Sequence, residues 1–277
     1  MKFRTLTKAA LMTLALAFSV SSAHAGAIDD IKKRGEMVIG MEVAYQPYEF
    51  FKDGKIIGYD VDIANKFAEK LGVKAKFVDT EWNGIIASLL AKKFDAILSG
   101  MTVTGERAQK LNFSMPYGEA TNVILVRQDD PSIQTAEDLS GKRVGAQLAS
   151  AGDKVAKEFE AALKAKGKPG YSDYKLYDHY PEAYVDLTNK RTDAVVNSIS
   201  TLIVLLAEQK GKYRLVGGIQ NIKAYFGMAF RKEDTDFLKF ANEQFAAMKA
   251  SGELAELQKK WFGGTMDTPN ELPATLP

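Results

Sequence analysis

The chain of 277 residues has no cysteine, only two histidines and no long apolar run. Without cysteine there is no disulfide, no thiolate nucleophile, no cysteine metal site and no acylated cysteine to tether the chain to a membrane. One histidine, His24, lies near the start, so His179 is the single imidazole beyond residue 25. The G-x-S-x-G, H-E-x-x-H and phosphate-loop patterns are missing, and "GAQLASAG" (145–152) is too loose a turn for a dinucleotide fingerprint. Dense Lys/Arg clusters are missing too, which speaks against nucleic acid as a partner. No run approaches the roughly 20 apolar residues of a membrane span.

What is present starts with a leader. Lys2, Arg4 and Lys8 precede an apolar run from Ala9 to Val20 and a small-residue end, Ala23-His24-Ala25. That is the pattern of a secretory signal peptide over residues 1–25, cleaved before Gly26. The expected location is therefore a periplasm of the Gram-negative type. Removing three basic residues and no acidic one takes the net charge from +2 to −1, so the basic character belongs largely to the leader. The remainder, with a hydrophobic content of 46% for the chain, can bury one large core or two ordinary ones.

Strand and helix patterns alternate. "MVIGM" (37–41) reads as a strand, residues 59–72 as a helix, "AKFVD" (75–79) as a strand, residues 83–93 as a helix and "DAILS" (95–99) as a strand. The series restarts with strands at 142–146, 174–178 and 193–198 and helices at 152–166 and 181–190. "KKFDAILSG" (92–100) and "NKRTDAVVNS" (189–198) echo one another at the end of each series. The order implies two related α/β lobes, each a parallel sheet covered by helices on both faces. "GEATNVILVRQDDPS" (118–132) and "QNIKAYFGMAF" (220–230) read as extended crossings, and helices over 233–250 and 253–262 return to the first lobe. Ligands of open α/β sheets sit beyond the carboxyl ends of the strands, so Ser99-Gly100 and Asn197-Ser198 are expected to face a shared cleft.

Several residues there carry chemistry. "TVTGER" is a helix start with Thr104 as N-cap, and it presents Arg107 beside the exit Ser99-Gly100-Met101-Thr102. An arginine so placed offers a planar fork to a carboxylate, assisted by backbone N–H groups from Gly100 to Thr102. Tyr45 and Trp82 follow strands and can wall a pocket; Glu42, just after the first strand, can receive an ammonium. No catalytic group is identified, and neither a metal nor a cofactor is expected.

The motifs "GMEVAYQPYEF" (40–50), "GKIIGYDVDIANKFAEKLG" (54–72), "WNGIIASLLAKKFDAILSGMTVTGER" (82–107), "FSMPY" (113–117), "EDLSGKRVGAQLAS" (137–150), "RTDAVVNS" (191–198) and "LQKKWFG" (257–263) occur in one order. In these the chain resembles the periplasmic polar-amino-acid-binding proteins of ATP-binding-cassette (ABC) importers. The resemblance implies an α/β, two-lobed periplasmic binding protein fold (type II) that closes on a small carboxylate-bearing ligand and hands it to a membrane permease. It implies lobe 1 over residues 26–118 and 227–277, lobe 2 over 123–222, hinge segments at 119–122 and 223–226, and a monomer. By motif it assigns the ligand α-carboxylate to Arg107 with Gly100 and Thr102, the pocket walls to Tyr45 and Trp82, a cationic group to Glu42, and second-lobe contacts to Gln147, Ser150 and Ala151.

One position departs from that pattern. The amino-acid binders usually carry Asp after the "DAVVN"-type strand to receive the α-ammonium, and this chain has Ser198 after Asn197. Either Glu42 or another acid supplies the counter-charge, or the ligand amine is substituted, displaced or absent. Cyclohexadienyl dehydratases share the resemblance, which leaves an enzyme as the alternative, with a ligand-sensing module as a third.

Overall fold

In the computed structural model, residues 26–219 and 222–277 are described, so the leader expected over residues 1–25 lies outside the described residues. The strand Glu36–Met41 buries Met37, Ile39 and Met41 completely and pairs in parallel with Lys74–Asp79 and Ala96–Ile97. Between them the helix Tyr59–Leu71 buries Val61, Ala64, Phe67, Ala68 and Leu71 and stops at Gly72, whose φ of 71° caps the last carbonyls. The second lobe repeats the plan with Arg143–Gln147 parallel to both Asp173–Tyr177 and Ala194–Ser198.

Neither sheet is purely parallel, contrary to the expectation from sequence. Each has five strands, and the fourth in spatial order runs against the first three: Ala229–Phe230 in one lobe, Asn122–Arg127 in the other. The cause is topological. Parallel strands run toward the cleft, whereas these two enter from the crossings and run away from it.

The crossings pair with each other. Gly118–Glu119 lies antiparallel to Tyr225–Phe226, flanked by Ala120 N donating to Ala224 O at 2.8 Å. This ladder also holds the first-lobe strand exit: Val103 N donates to Tyr225 O at 2.9 Å and Gly227 N to Met101 O at 3.1 Å. The C-terminal helices Thr235–Ser251 and Glu253–Phe262 do return to the first lobe, where Phe245 meets Phe67 and Phe262 meets Tyr48 and Tyr59, all with ring centroids about 5 Å apart. Among the described residues no helix is long and apolar enough to cross a membrane.

Among the elements the sequence reading did not foresee, which include the helix Ala27–Arg34 and the strand Tyr213–Gly218, two adjoin the cleft. A small sheet of Ala44–Tyr45, Glu49–Lys52 and Lys55–Ile57 intervenes between the first strand and the first long helix. Its hairpin turns at Asp53-Gly54, both with positive φ, the conformation of a two-residue type I′ loop. The helix Ile199–Glu208 follows directly from the strand Ala194–Ser198.

Candidate functional site

The strand exits of both lobes, Gln147 and the first turn of the helix Ala151–Ala165 meet around one small cavity. It measures about 20 Å³, room for about a single water. Glu42, Tyr45, Trp82, Gly100, Thr102, Gln147, Ser150, Ala151, Asn197 and Ser198 line it, all expected from the sequence. Asn122, Gly152 and Tyr180 line it as well and were not expected.

Three expected residues are placed elsewhere. Ser99 and Met101 alternate with Gly100 and Thr102 and turn inward. The Ser99 hydroxyl donates to Glu49 Oε1 at 2.7 Å, and Met101 lies in the core with Ile85, Leu89 and Phe113. Arg107 stands at the mouth, on a groove of about 400 Å³ that it shares with Trp82, Ser150 and Ala151. Thr104 caps its helix, accepting from Arg107 N at 3.2 Å. The guanidinium lies over the Trp82 ring, 5.2 Å from its centroid, and donates to Thr102 O at 3.0 Å and Ala149 O at 3.1 Å. Among the described residues no carboxylate forms an ion pair with it, and burial lowers its pKa to about 10.

Ala149 is the second lobe's contribution at this mouth. Its φ of 60° is unusual for a residue with a side chain and turns its carbonyl to accept from both Trp82 Nε1, at 3.2 Å, and Arg107. Ser150 then caps the following helix, accepting from Asp153 N at 3.0 Å. The start of that helix lies on the cavity, so its unpaired N–H groups favour negative charge on this side.

On the opposite side the charge is reversed. Glu42, 2% exposed, accepts on Oε1 from Gln147 Nε2 at 2.6 Å, with His179 Nδ1 also at 2.6 Å. Burial raises the Glu42 pKa against both of these hydrogen bonds, which lower it. His179 lies above its ordinary range: burial opposes its charge, but Glu42 and Glu81, the latter 3.4 Å from Nε2, prevail. Glu42 is the one carboxylate lining the cavity among the described residues.

Ser198 does not face the cavity as an idle hydroxyl. It lies 3.0 Å from Tyr45 OH and 3.0 Å from Thr201 Oγ1, while Asn197 Oδ1 accepts from Tyr45 OH at 3.1 Å. Burial pushes the Tyr45 pKa up, so it bridges the lobes as a neutral phenol. His179 and Tyr180 were missed although they follow a strand as Glu42 and Tyr45 do; that shared position was the available signal.

Residues 37–264 match the bacterial extracellular solute-binding proteins, family 3. The chain belongs to this family. Within it, the L-cystine-binding protein TcyJ of Escherichia coli is 34% identical over 272 residues, covering 95% of this chain and 98% of the relative. The L-arginine-binding protein of Pseudomonas aeruginosa is 33% identical over 255 residues, covering 90% and 94%. Among solved structures, the ancestral amino acid-binding protein AncCDT-1, described as a precursor of cyclohexadienyl dehydratase, superposes with a TM-score of 0.77 at 34% identity, covering 85% of this chain and 99% of that one. Family and neighbours give the chain the two-lobed fold expected from the sequence.

Proposed function

We propose that this chain captures an amino acid or amino-acid derivative in the periplasm and delivers it to the permease of an ABC importer. The observation that carries the reading is Arg107: a guanidinium between the lobes with carbonyl acceptors but, among the described residues, no carboxylate partner. A ligand carboxylate drawn to Gly100 and Thr102 and to the start of the Ala151–Ala165 helix meets complementary charge there. Glu42 receives the ammonium in place of the acid missing at Ser198, because the Ser198 hydroxyl is engaged with Tyr45 and Thr201. A zwitterion laid between Arg107 and Glu42 satisfies both ends. L-cystine and L-arginine, which two relatives are named for binding, are the first ligands to try.

The cavity is too small for such a ligand until the lobes part, so the crossings 119–122 and 223–226 act as the hinge. Calorimetric titration of a panel of amino acids, with scattering of the free and bound protein, tests the reading. It fails if no carboxylate-bearing compound of the panel binds. A second reading, a dehydratase acting through Glu42 as general acid, draws on the raised pKa of that cavity carboxyl. Incubation with prephenate or arogenate, followed by assay for the aromatic product, separates the two.

A further inference from the structure

Behind the first-lobe exit two carboxyl groups lie in the interior. Glu49 and Asp60 are each 0% exposed. The backbone brings them together: Tyr59 N donates to Pro47 O and Asp60 N to Tyr48 O, both at 3.0 Å. Gly58 packs so closely that a Cβ would sit 2.0 Å from Tyr48 O and 2.9 Å from Glu49 Cα. The start of the Tyr59–Leu71 helix is thereby clamped on the strand that opens with Glu49, and the two carboxyls come within hydrogen-bonding reach.

Their outer oxygens are engaged with the ligand site. The Ser99 hydroxyl accepts from Glu42 N at 3.0 Å and donates to Glu49 Oε1 at 2.7 Å. Asp60 Oδ2 accepts from Gly100 N and Tyr117 OH, each at 2.9 Å. Glu49 Oε2 and Asp60 Oδ1 remain, buried and without a donor. The ionisable groups around the pair are Glu42 from the first strand exit, Tyr45 and Tyr48 from the segment before Glu49, Tyr59 from the helix, and Tyr117 ahead of the first crossing. All are acids or phenols, and no base among the described residues offsets the charge. Burial pushes both carboxyls upward, Asp60 to about 7 and Glu49 well above its ordinary range.

We propose that Glu49 and Asp60 share one proton and act as the positioning pair that sets the first-lobe half of the ligand site. For its functional consequence this rests on the binding reading above. One donor between the two inner oxygens completes a chain from the Glu42 amide through Ser99, Glu49 and Asp60 to the Gly100 amide. With no proton, two anionic oxygens face each other in the core. With a second proton, Asp60 Oδ1 donates to Glu49, the Glu49 proton moves to Oε1, and the Ser99 hydroxyl loses its acceptor. The proton count thus places the Glu42 and Gly100 amides, although neither acid lines the cavity.

The test is a count of donors between the two acids. Glu49→Ala leaves Asp60 Oδ1 and the Ser99 hydroxyl without partners, and should weaken binding of the best amino acid in the panel at least about tenfold. Glu49→Gln puts one N–H in the place of the proton and should restore binding to within about threefold; Asp60→Asn also leaves one donor between the groups. The double substitution Glu49→Gln/Asp60→Asn sets amide donors against one another, and its loss should exceed the product of the single losses at least about tenfold. Independently of ligand, an infrared difference spectrum of wild type against Glu49→Gln at about pH 8 should contain a protonated-carboxyl band, since exposed carboxyls are ionised there. Absence of that band, or a double variant no worse than the product of the singles, overturns the proposal. If Glu49→Ala does not fold, the glutamine variant and the infrared band decide. If no amino acid binds wild type, the functional reading falls, and the band together with the melting temperatures of the same variants still decides the pair.

Discussion

The two strand exits that face each other across the cleft descend from matching sequence, yet they are backed by different chemistry. In the first lobe Ser99 and Gly100 rest on the buried acids Glu49 and Asp60. In the second, Asn197 and Ser198 rest on neutral groups: Asn197 Oδ1 accepts from Ser198 N at 2.7 Å, Asn197 Nδ2 donates to Tyr184 OH at 2.7 Å, and Ser198 Oγ lies 3.0 Å from Thr201 Oγ1. The source of the difference is the small sheet over residues 44–57. The first lobe inserts it between strand and helix, and it carries Glu49; the second lobe passes from Gln147 to Ala151 with only a short turn. Charge-assisted hydrogen bonds are roughly twice as strong as neutral ones, and neutral ones exchange readily for water. The first half of the site is therefore held in advance, and in the proposed opening the second is the half that releases.

The sharpest way to break this comparison is Arg107→Ala, which removes the first-lobe cation. Leaving a ligand carboxylate without its partner costs about 2–5 kcal/mol, so calorimetry should find binding weakened at least about thirtyfold. Unchanged affinity in a folded variant would return Arg107 to a purely structural bridge between Thr102 and Ala149.

Next in size is a pH effect on stability. The folded pair keeps its second proton, that of Asp60, up to about pH 7 and the shared one beyond it, whereas an unfolded aspartyl carboxyl ionises near its ordinary value of 3.8. Stability from this group is complete below about pH 4 and is lost as pH rises through about 7, a change on the order of 4 kcal/mol. Urea unfolding across that window, with Asp60→Asn as the reference that lacks the Asp60 proton, should show wild type losing ground as pH increases. A difference that grows in the other direction would refute the burial-driven retention of the proton.

Glu42→Gln comes third. It keeps the size of the side chain and removes the anion, so affinity for a ligand with a free ammonium should fall by about 1.5–3 kcal/mol, while ligands without an amine should lose less. Equal losses for both classes would deny Glu42 its role as counter-charge. The smallest effect belongs to the neutral side. Tyr45→Phe deletes only the bridge to Asn197 and Ser198, so affinity should change by about 0.5–1.5 kcal/mol, chiefly through faster dissociation measured by stopped flow. A loss as large as that of Arg107→Ala would erase the distinction between the two exits.

Much of the fold was legible because burial writes a period into sequence. The helix Tyr59–Leu71 and the strand Glu36–Met41 follow their apolar patterns to within a residue at the ends. The mixed direction of the sheets was not legible, since a strand's direction depends on which side of the cleft the chain enters from. The hairpin at Asp53-Gly54 had its signal in the turn dipeptide, but the strands beside it are too short for alternation to register. At the site, residues beyond strand ends were foreseen from position alone. Ser99 and Met101 were read as ligand contacts with their neighbours, although alternation along an extended chain turns every second side chain inward. The contact of His179 with Glu42 joins segments far apart in sequence, and Glu49 and Asp60, though near in sequence, sit on a short strand and the helix after it, so no local pattern announces either.

With the crossings as the proposed hinge, the ladder between Met101–Val103 and Tyr225–Gly227 makes the pocket part of its own axle. Any rotation of the crossing strands drags Thr102 with it, because the two share backbone hydrogen bonds rather than side-chain contacts. In the proposed binding mode a ligand at Thr102 thus rests on the proposed pivot instead of at the far rim, where leverage would be greatest. Such a device trades force for fidelity: a small molecule seated there stiffens the turning point itself, and an ill-fitting one leaves it loose. The lobes can then report how well a guest fits through how firmly they stay shut.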